Sequence, residues 1–183
     1  RALADVAYRA LTLHFISGGR FLFGIGPGST ERDFLAMGSS TNASYADRFR
    51  DFNDQSAQLV DILRAGQVNG IDLRPWTDAA GGPPVMVGAW RGPWVARAAT
   101  DFDGWIASAG YNDDTTLADA LARFRQAGGK RAIVTNVQIG EDPGPGIERL
   151  QRLAEMGFDD AVAFDLAYTP ERAALIRSAI EAK

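Results

Sequence analysis

Apolar residues along the chain fall into two kinds of segment that take turns. Short, nearly continuous apolar runs lie at 20–26, 84–88, 103–107, 131–137 and 160–164. They read as buried strands, the fourth of them rich in β-branched residues. Longer stretches with apolar positions at helical spacing follow them at 45–65, 94–100, 116–127, 145–156 and 169–182. In 45–65 the apolar side carries Phe49, Phe52, Leu59, Ile62 and Leu63. A further helix is predicted over 1–15, with Leu3, Val6, Ala10, Leu11 and His14 near one face. It stops at Gly18 and Gly19, as glycines after a periodic segment predict. Gly128 and Gly129 end 116–127, and Gly157 ends 145–156. Thr169 suits an N-cap and Pro170 the first helical position. The irregular stretch 66–82 holds Val68, Ile71 and Leu73, enough for a small hairpin.

Five strands, each followed by a helix, imply parallel strands joined by right-handed crossovers. Continuous apolar strands are those of a sheet covered on both faces. Two α/β architectures fit. One is an open doubly wound sheet. The other is part of a (β/α)8 TIM barrel, whose full length is typically about 250 residues. Five units behind a leading helix match the last five-eighths of such a barrel. At 183 residues the chain is one domain's worth.

Composition removes several chemistries. A net charge of -4 gives no electrostatic reason to bind nucleic acid or an anionic membrane. The chain has no cysteine, which excludes disulfides, thiolate metal sites and a cysteine nucleophile. Its one histidine, His14, excludes multi-histidine metal sites and is placed for packing rather than catalysis. No apolar run reaches the roughly 18 residues of a membrane helix. The opening stretch lacks the apolar core and cleavage pattern of a signal peptide, so a cytoplasmic location is expected.

Two strand ends carry the candidate chemistry. Gly24, Gly26 and Gly28 surround Pro27 just after the first strand. A dinucleotide fingerprint would need a further glycine where Ser29 stands, so that reading is weak. Small residues there either let the backbone turn or let a flat ligand approach it, and three glycines at one strand end exceed what a turn requires, which favours the ligand. Gly88, Ala89, Trp90, Arg91 and Gly92 lie between the second strand and its helix. A helix start offers free N–H groups to a phosphate, and the Arg91 guanidinium adds a two-pronged grip. Of the tryptophans, Trp90 is the one best placed to wall a ring; Trp94 and Trp105 read as core. Asp101, Asp103, Asp113 and Asp114 lack an ion-loop spacing, and Asp113 and Asp114 suit helix capping. Asp165 follows the fifth strand, where it could contact a ligand, but helix capping is the expected role. Ser108 and Gln138 are strand-end candidates of lower weight.

Three stretches together resemble the luciferase-like monooxygenases, flavin enzymes of the bacterial-luciferase type. They are SGGRFLFGIGPG at 17–28, DFLAMG at 33–38 with YADR at 45–48, and PPVMVG at 83–88 with RAA at 97–99 and FDGWI at 102–106. The resemblance implies a TIM barrel of which 1–183 holds units 4 to 8, with no second domain. It implies FMN, or in one branch F420, at the C-terminal mouth of the barrel. The phosphate would sit at Gly88, Ala89, Trp90, Arg91 and Gly92, and the ring against Gly26, Pro27 and Gly28. Many members carry Gly-Gly and Ser where Ala89, Trp90 and Arg91 stand, and Arg91 would replace hydroxyl donors with charge. The bulky or basic side chains that some members use after the fourth strand are missing at Gly26–Gly28.

The activity implied is oxidation of a small organic substrate by reduced flavin and oxygen, or hydride transfer with F420. A barrel segment with a binding or assembly role is the alternative. Members often dimerise, so a homodimer is expected. The first three βα units have no counterpart. The expectation is therefore a longer complete protein, or a second chain that completes this one, because a partial barrel exposes strand edges and apolar inner surface.

Overall fold

Glycine and polar caps, more than the apolar runs, set where the elements begin and end. The computed structural model describes residues 2–28, 44–74, 81–88, 90 and 93–181. They fall into two compact units, Arg1–Gly88 and Ala89–Lys183.

In the first unit, α1 (Leu3–Ile16) buries Ala7, Ala10 and Leu11. It ends where Gly18 and Gly19 take φ of 61° and 80°, with the Gly19 N–H donating to the His14 carbonyl at 3.0 Å. The first strand is shorter than predicted: β1 is Phe23–Ile25. It pairs in parallel with β4 (Val85–Val87), Phe23 opposite Val85 and Ile25 opposite Val87. Pro83 and Pro84 precede β4 and have no N–H to continue the ladder, so Arg20, Phe21 and Leu22 stay outside it. Between these strands runs α2 (Tyr45–Ala65), opened by a reciprocal cap between Ser44 and Asp47 and closed by left-handed Gly66 at φ 67°. It buries Leu59, Val60 and Leu63. The hairpin forms as β2 (Gln67–Val68) and β3 (Ile71–Asp72) around Asn69 and Gly70, both at positive φ. Leu73 lies beyond its pairing, although its N–H reaches the Gly66 carbonyl.

The second unit runs α3 (Trp94–Thr100), β5 (Gly104–Ser108), α4 (Asp114–Gln126), β6 (Ala132–Ile139), α5 (Gly144–Met156), β7 (Asp160–Asp165) and α6 (Pro170–Glu181). Its strands are parallel, with β6 between β5 and β7. The fourth apolar run extends two residues past its predicted end, to Ile139. The core lies between sheet and helices. Trp105 is fully buried, with its ring 5.8 Å from Phe124 and 6.2 Å from Phe158. Leu117, Val134, Val137 and Leu153 also belong to this core, each 0% exposed.

The N-terminal ends of β6 and β7 are held by charge. Arg125 donates to the carbonyls of Gly129, Lys130 and Gly157 and to the Asp159 carboxylate at 2.7 Å. The same carboxylate oxygen accepts the Ala132 N–H at 2.7 Å. Burial pushes the Asp159 pKa up, but these hydrogen bonds outweigh it and hold the group below the usual carboxylate range. Arg131 pairs with Asp160 at 2.8 Å. At the other side of the unit, β7 is paired only with β6 among the described residues. Its Val162 and Phe164 are each 53% exposed. Thr169 caps α6 by accepting the Arg172 N–H at 3.1 Å, as expected.

Candidate functional site

Consecutive apolar strands that run parallel bring their C-terminal ends to one level. In the first unit the Gly88 N–H donates to the Ile25 carbonyl at 2.7 Å. One residue on, a Cβ at Gly26 would stand 3.2 Å from the Gly88 oxygen. Gly26 and Gly88 are therefore side by side, and a side chain at position 26 would crowd the Gly88 carbonyl unless the backbone shifted by a few tenths of an ångström. Gly28 takes φ of 77°, a conformation glycine adopts without steric cost, and Pro27 is half-buried. The result is a stretch of bare backbone at the ends of β1 and β4. The Gly88 N–H is already occupied, so a bound anion must find its donors later in the chain.

Of those later residues, Ala89, Arg91 and Gly92 lie outside the described residues, as does the 33–38 motif. Trp90 is half-buried and tilts against Trp105 with ring centroids 5.3 Å apart. Its ring thus joins the aromatic cluster of the second unit. Trp94 and Trp105 are core residues, Trp94 lying 6.2 Å from Phe102.

The second unit has its own polar rim, at the C-terminal ends of β5 and β6. Ladder register shifts between Val134 and Val137, a β-bulge centred on Thr135 and Asn136. Asn136 sits at φ 59°, and its Nδ2 donates to Ser108 Oγ at 3.0 Å. Thr135 Oγ1 donates to the Ala107 carbonyl, and Asn112 Nδ2 to the Ser108 carbonyl. A Cβ at Gly110 would come within 3.2 Å of Asn136 Cβ, so the loop after β5 is shaped around this residue. Gln138 is exposed and lies opposite Phe164. Sequence reasoning weighed Ser108 and Gln138 but missed Asn136. The one signal available was an asparagine, tolerant of left-handed φ, inside a β-branched run.

The acidic residues are engaged elsewhere. Asp113 caps α4 by accepting the Thr116 N–H at 2.8 Å, which lowers its pKa. Asp114 pairs with Arg149 at 3.0 Å and Arg152 at 3.1 Å. Burial raises the Asp114 pKa, and the two arginines more than reverse that. Asp101 pairs with Arg97 at 2.7 Å. Asp165 is not the helix cap expected of it: the cap is Thr169, and the Asp165 side chain is 8% exposed and bonded to Arg172 at 2.6 Å. Arg172 also donates to the carbonyls of Gly140 and Glu141, tying the loop after β6 to the start of α6. His14 is half-buried in α1, and its Nδ1 has no hydrogen-bond partner among the described residues. An apolar cleft of about 370 Å³, lined by Leu150, Phe158, Ala163 and Ile176, lies among α5, α6 and the helix side of β7.

The family described as luciferase-like monooxygenase matches residues 1–139. No curated protein matches the chain. Among solved structures, the monooxygenase RslO1 from Streptomyces bottropensis superposes with a TM-score of 0.62 at 18% identity. That match covers 99% of this chain and 73% of RslO1, and it shows an α/β fold of the partial (β/α)8 barrel type. No helix among the described residues is long and apolar enough to cross a membrane.

Proposed function

Because the chain belongs to the luciferase-like monooxygenase family, we propose that it is barrel units 4 to 8 of an oxidoreductase that binds FMN or F420 and acts on a small organic substrate. The observation that carries this reading is the pair of adjacent, side-chain-free strand ends at Gly26 and Gly88. A flat heterocycle fits against bare backbone, and Gly26, Pro27 and Gly28 are the residues assigned to it. Ala89, Trp90, Arg91 and Gly92 are assigned to its phosphate, with Arg91 supplying the charge. When bound, the cofactor supplies the redox chemistry: oxidation with oxygen from FMN, or hydride transfer from F420. The chain's residues bind and orient it and exclude water. A homodimer is the assembly this reading expects.

The test is fluorescence titration of the purified chain with FMN and with F420. One of them is expected to bind saturably. Arg91→Ala is expected to weaken that binding about tenfold, since a charge-assisted hydrogen bond contributes about 1.5–3 kcal/mol. Binding of neither cofactor overturns the reading in favour of a barrel segment with a binding or assembly role. Equal affinity of wild type and Arg91→Ala overturns the assignment of Arg91.

A further inference from the structure

A backbone nitrogen attacks the side-chain carbonyl of the residue before it most readily when the nitrogen belongs to glycine, which has no side chain to hinder the approach. The chain holds one asparagine and one aspartate in that position, Asn69 before Gly70 and Asp103 before Gly104. The structure separates the two pairs. Gly104 is buried and opens β5 in the core sheet. Asn69 and Gly70 are exposed and form the whole turn of the β2–β3 hairpin, at φ of 50° and 77°. That hairpin is held by two residue pairs, Gln67 with Asp72 and Val68 with Ile71. So short a ladder opens at little cost. Among the described residues no hydrogen bond engages the Asn69 amide or the Gly70 N–H. A Cβ at Gly70 would meet nothing within 4 Å, so the space beside its nitrogen is open. The other asparagines among the described residues precede Asp54, Asp113 and Val137, and each donates from its side chain: Asn53 to Asp54, Asn112 to the Ser108 carbonyl, Asn136 to Ser108 Oγ.

We propose that Asn69 is a site of spontaneous covalent modification, converting to isoaspartate and aspartate and thereby unlocking the hairpin. The Gly70 nitrogen gives up its proton and bonds to Asn69 Cγ; the Cγ–Nδ2 bond breaks and ammonia leaves, closing a five-membered imide. Water then opens the imide. Attack at Cγ breaks the bond to the Gly70 nitrogen and yields aspartate. Attack at the Asn69 main-chain carbonyl carbon yields isoaspartate, with the chain now running through Cγ. The balance is one water consumed and one ammonia released, with no redox change. Aspartate is tolerated at positive φ. Isoaspartate adds a methylene to the main chain and no longer fits a two-residue turn. Two contacts depend on that turn. The Leu73 N–H donates to the Gly66 carbonyl at 2.8 Å. Arg74 folds over Gly66, where a Cβ would stand 2.7 Å from Arg74 Cδ. Isoaspartate at position 69 therefore releases the segment that closes the end of α2. This chemistry lies in the first unit, apart from the residues assigned to the cofactor.

The test is to incubate the folded chain in mildly alkaline buffer and follow it by peptide mass spectrometry. The tryptic peptide 65–91, uncut at Arg74 because proline follows, is expected to gain the mass difference between a hydroxyl and an amino group. Isoaspartate in it is counted by methyl transfer from S-adenosylmethionine, using an isoaspartyl carboxyl methyltransferase. Conversion is expected to be faster in alkali than at neutral pH, because the attacking nitrogen must lose its proton. Asn69→Gly keeps a residue suited to positive φ and is expected to abolish both the mass gain and the methyl acceptance. In converted chains the Leu73 N–H is expected to exchange with solvent faster than in fresh protein, whereas in freshly purified Asn69→Asp it is expected to exchange as in wild type. No mass gain in 65–91 under conditions that convert the free peptide 65–74, or an earlier gain at Asn53, Asn112 or Asn136, overturns the site. Unchanged exchange at Leu73 in chains that carry isoaspartate overturns the unlocking.

Discussion

The two ends of the strands in the second unit are built by opposite means. At the N-terminal ends a single guanidinium, Arg125, gathers three carbonyls and the Asp159 carboxylate, and Arg131 adds a second ion pair with Asp160. At the C-terminal ends the sheet side offers a hydroxyl, two amides, a bulge and an exposed ring. Charge used inward, to satisfy carbonyls, contributes stability. Neutral groups that face outward, such as the Asn136 amide on the Ser108 hydroxyl, contribute less to it. This division matches the general rule for barrels, in which one face carries stability and the other chemistry.

The contrast is sharpest at Arg125. Arg125→Ala is expected to cost about 2–3 kcal/mol in urea unfolding, since it takes a donor from three carbonyls and one partner from the Asp159 carboxylate. Arg125→Lys should recover only part, because one ammonium cannot reach four acceptors. A loss under about 0.5 kcal/mol, the range of ordinary surface changes, would put the two ends on the same footing. Next in size is Asn136→Val, expected to cost about 1–2 kcal/mol because a β-branched residue resists left-handed φ. Asn136→Gly should change stability by less than about 0.5 kcal/mol, an ordinary surface effect. Equal costs for the two would mean that the amide, not the backbone, holds the bulge.

The smallest effect is expected from acid. Asp159 and Asp114 both titrate below the ordinary value of 3.8 in the folded chain. Their contribution is complete above that value and is lost as pH falls through the depressed ones. Melting temperature should therefore decline below about pH 4, and the decline should be shallower in Arg125→Ala, where Asp159 has lost one of its partners. An unchanged acid slope in that variant would detach Asp159 from the arginine.

Much of this fold was legible because parallel strands covered by helices leave apolar runs, and because glycines and caps mark the helix ends. The helices 45–65 and 94–100 match their predicted bounds. The first strand was overread because apolar character extends through Phe21 and Leu22, whereas pairing stops at the prolines before β4. The adjacency of Gly26 and Gly88 follows from strand order, which alternation suggests but no single residue encodes. The role of Asp165 was hidden because its partner Arg172 lies across a turn, in the next helix. Asn136 was hidden because a bulge leaves no compositional trace beyond one polar residue in an apolar strand.

That extra residue in β6 acts as a phase shifter. Upstream of it, Ala132 and Val134 turn to the helices; downstream, Val137 and Ile139 do, three positions on from Val134 rather than two. If the bulge were flattened with every residue kept, strict alternation from Val134 would send Asn136 to the helix side in place of Val137, and the odd-even parity of the strand tip would invert. Gln138 would then turn towards the helices while Ile139 turned to water. One residue thus sets both what the strand tip shows to the outside and how its last turn is nailed to the helix beneath.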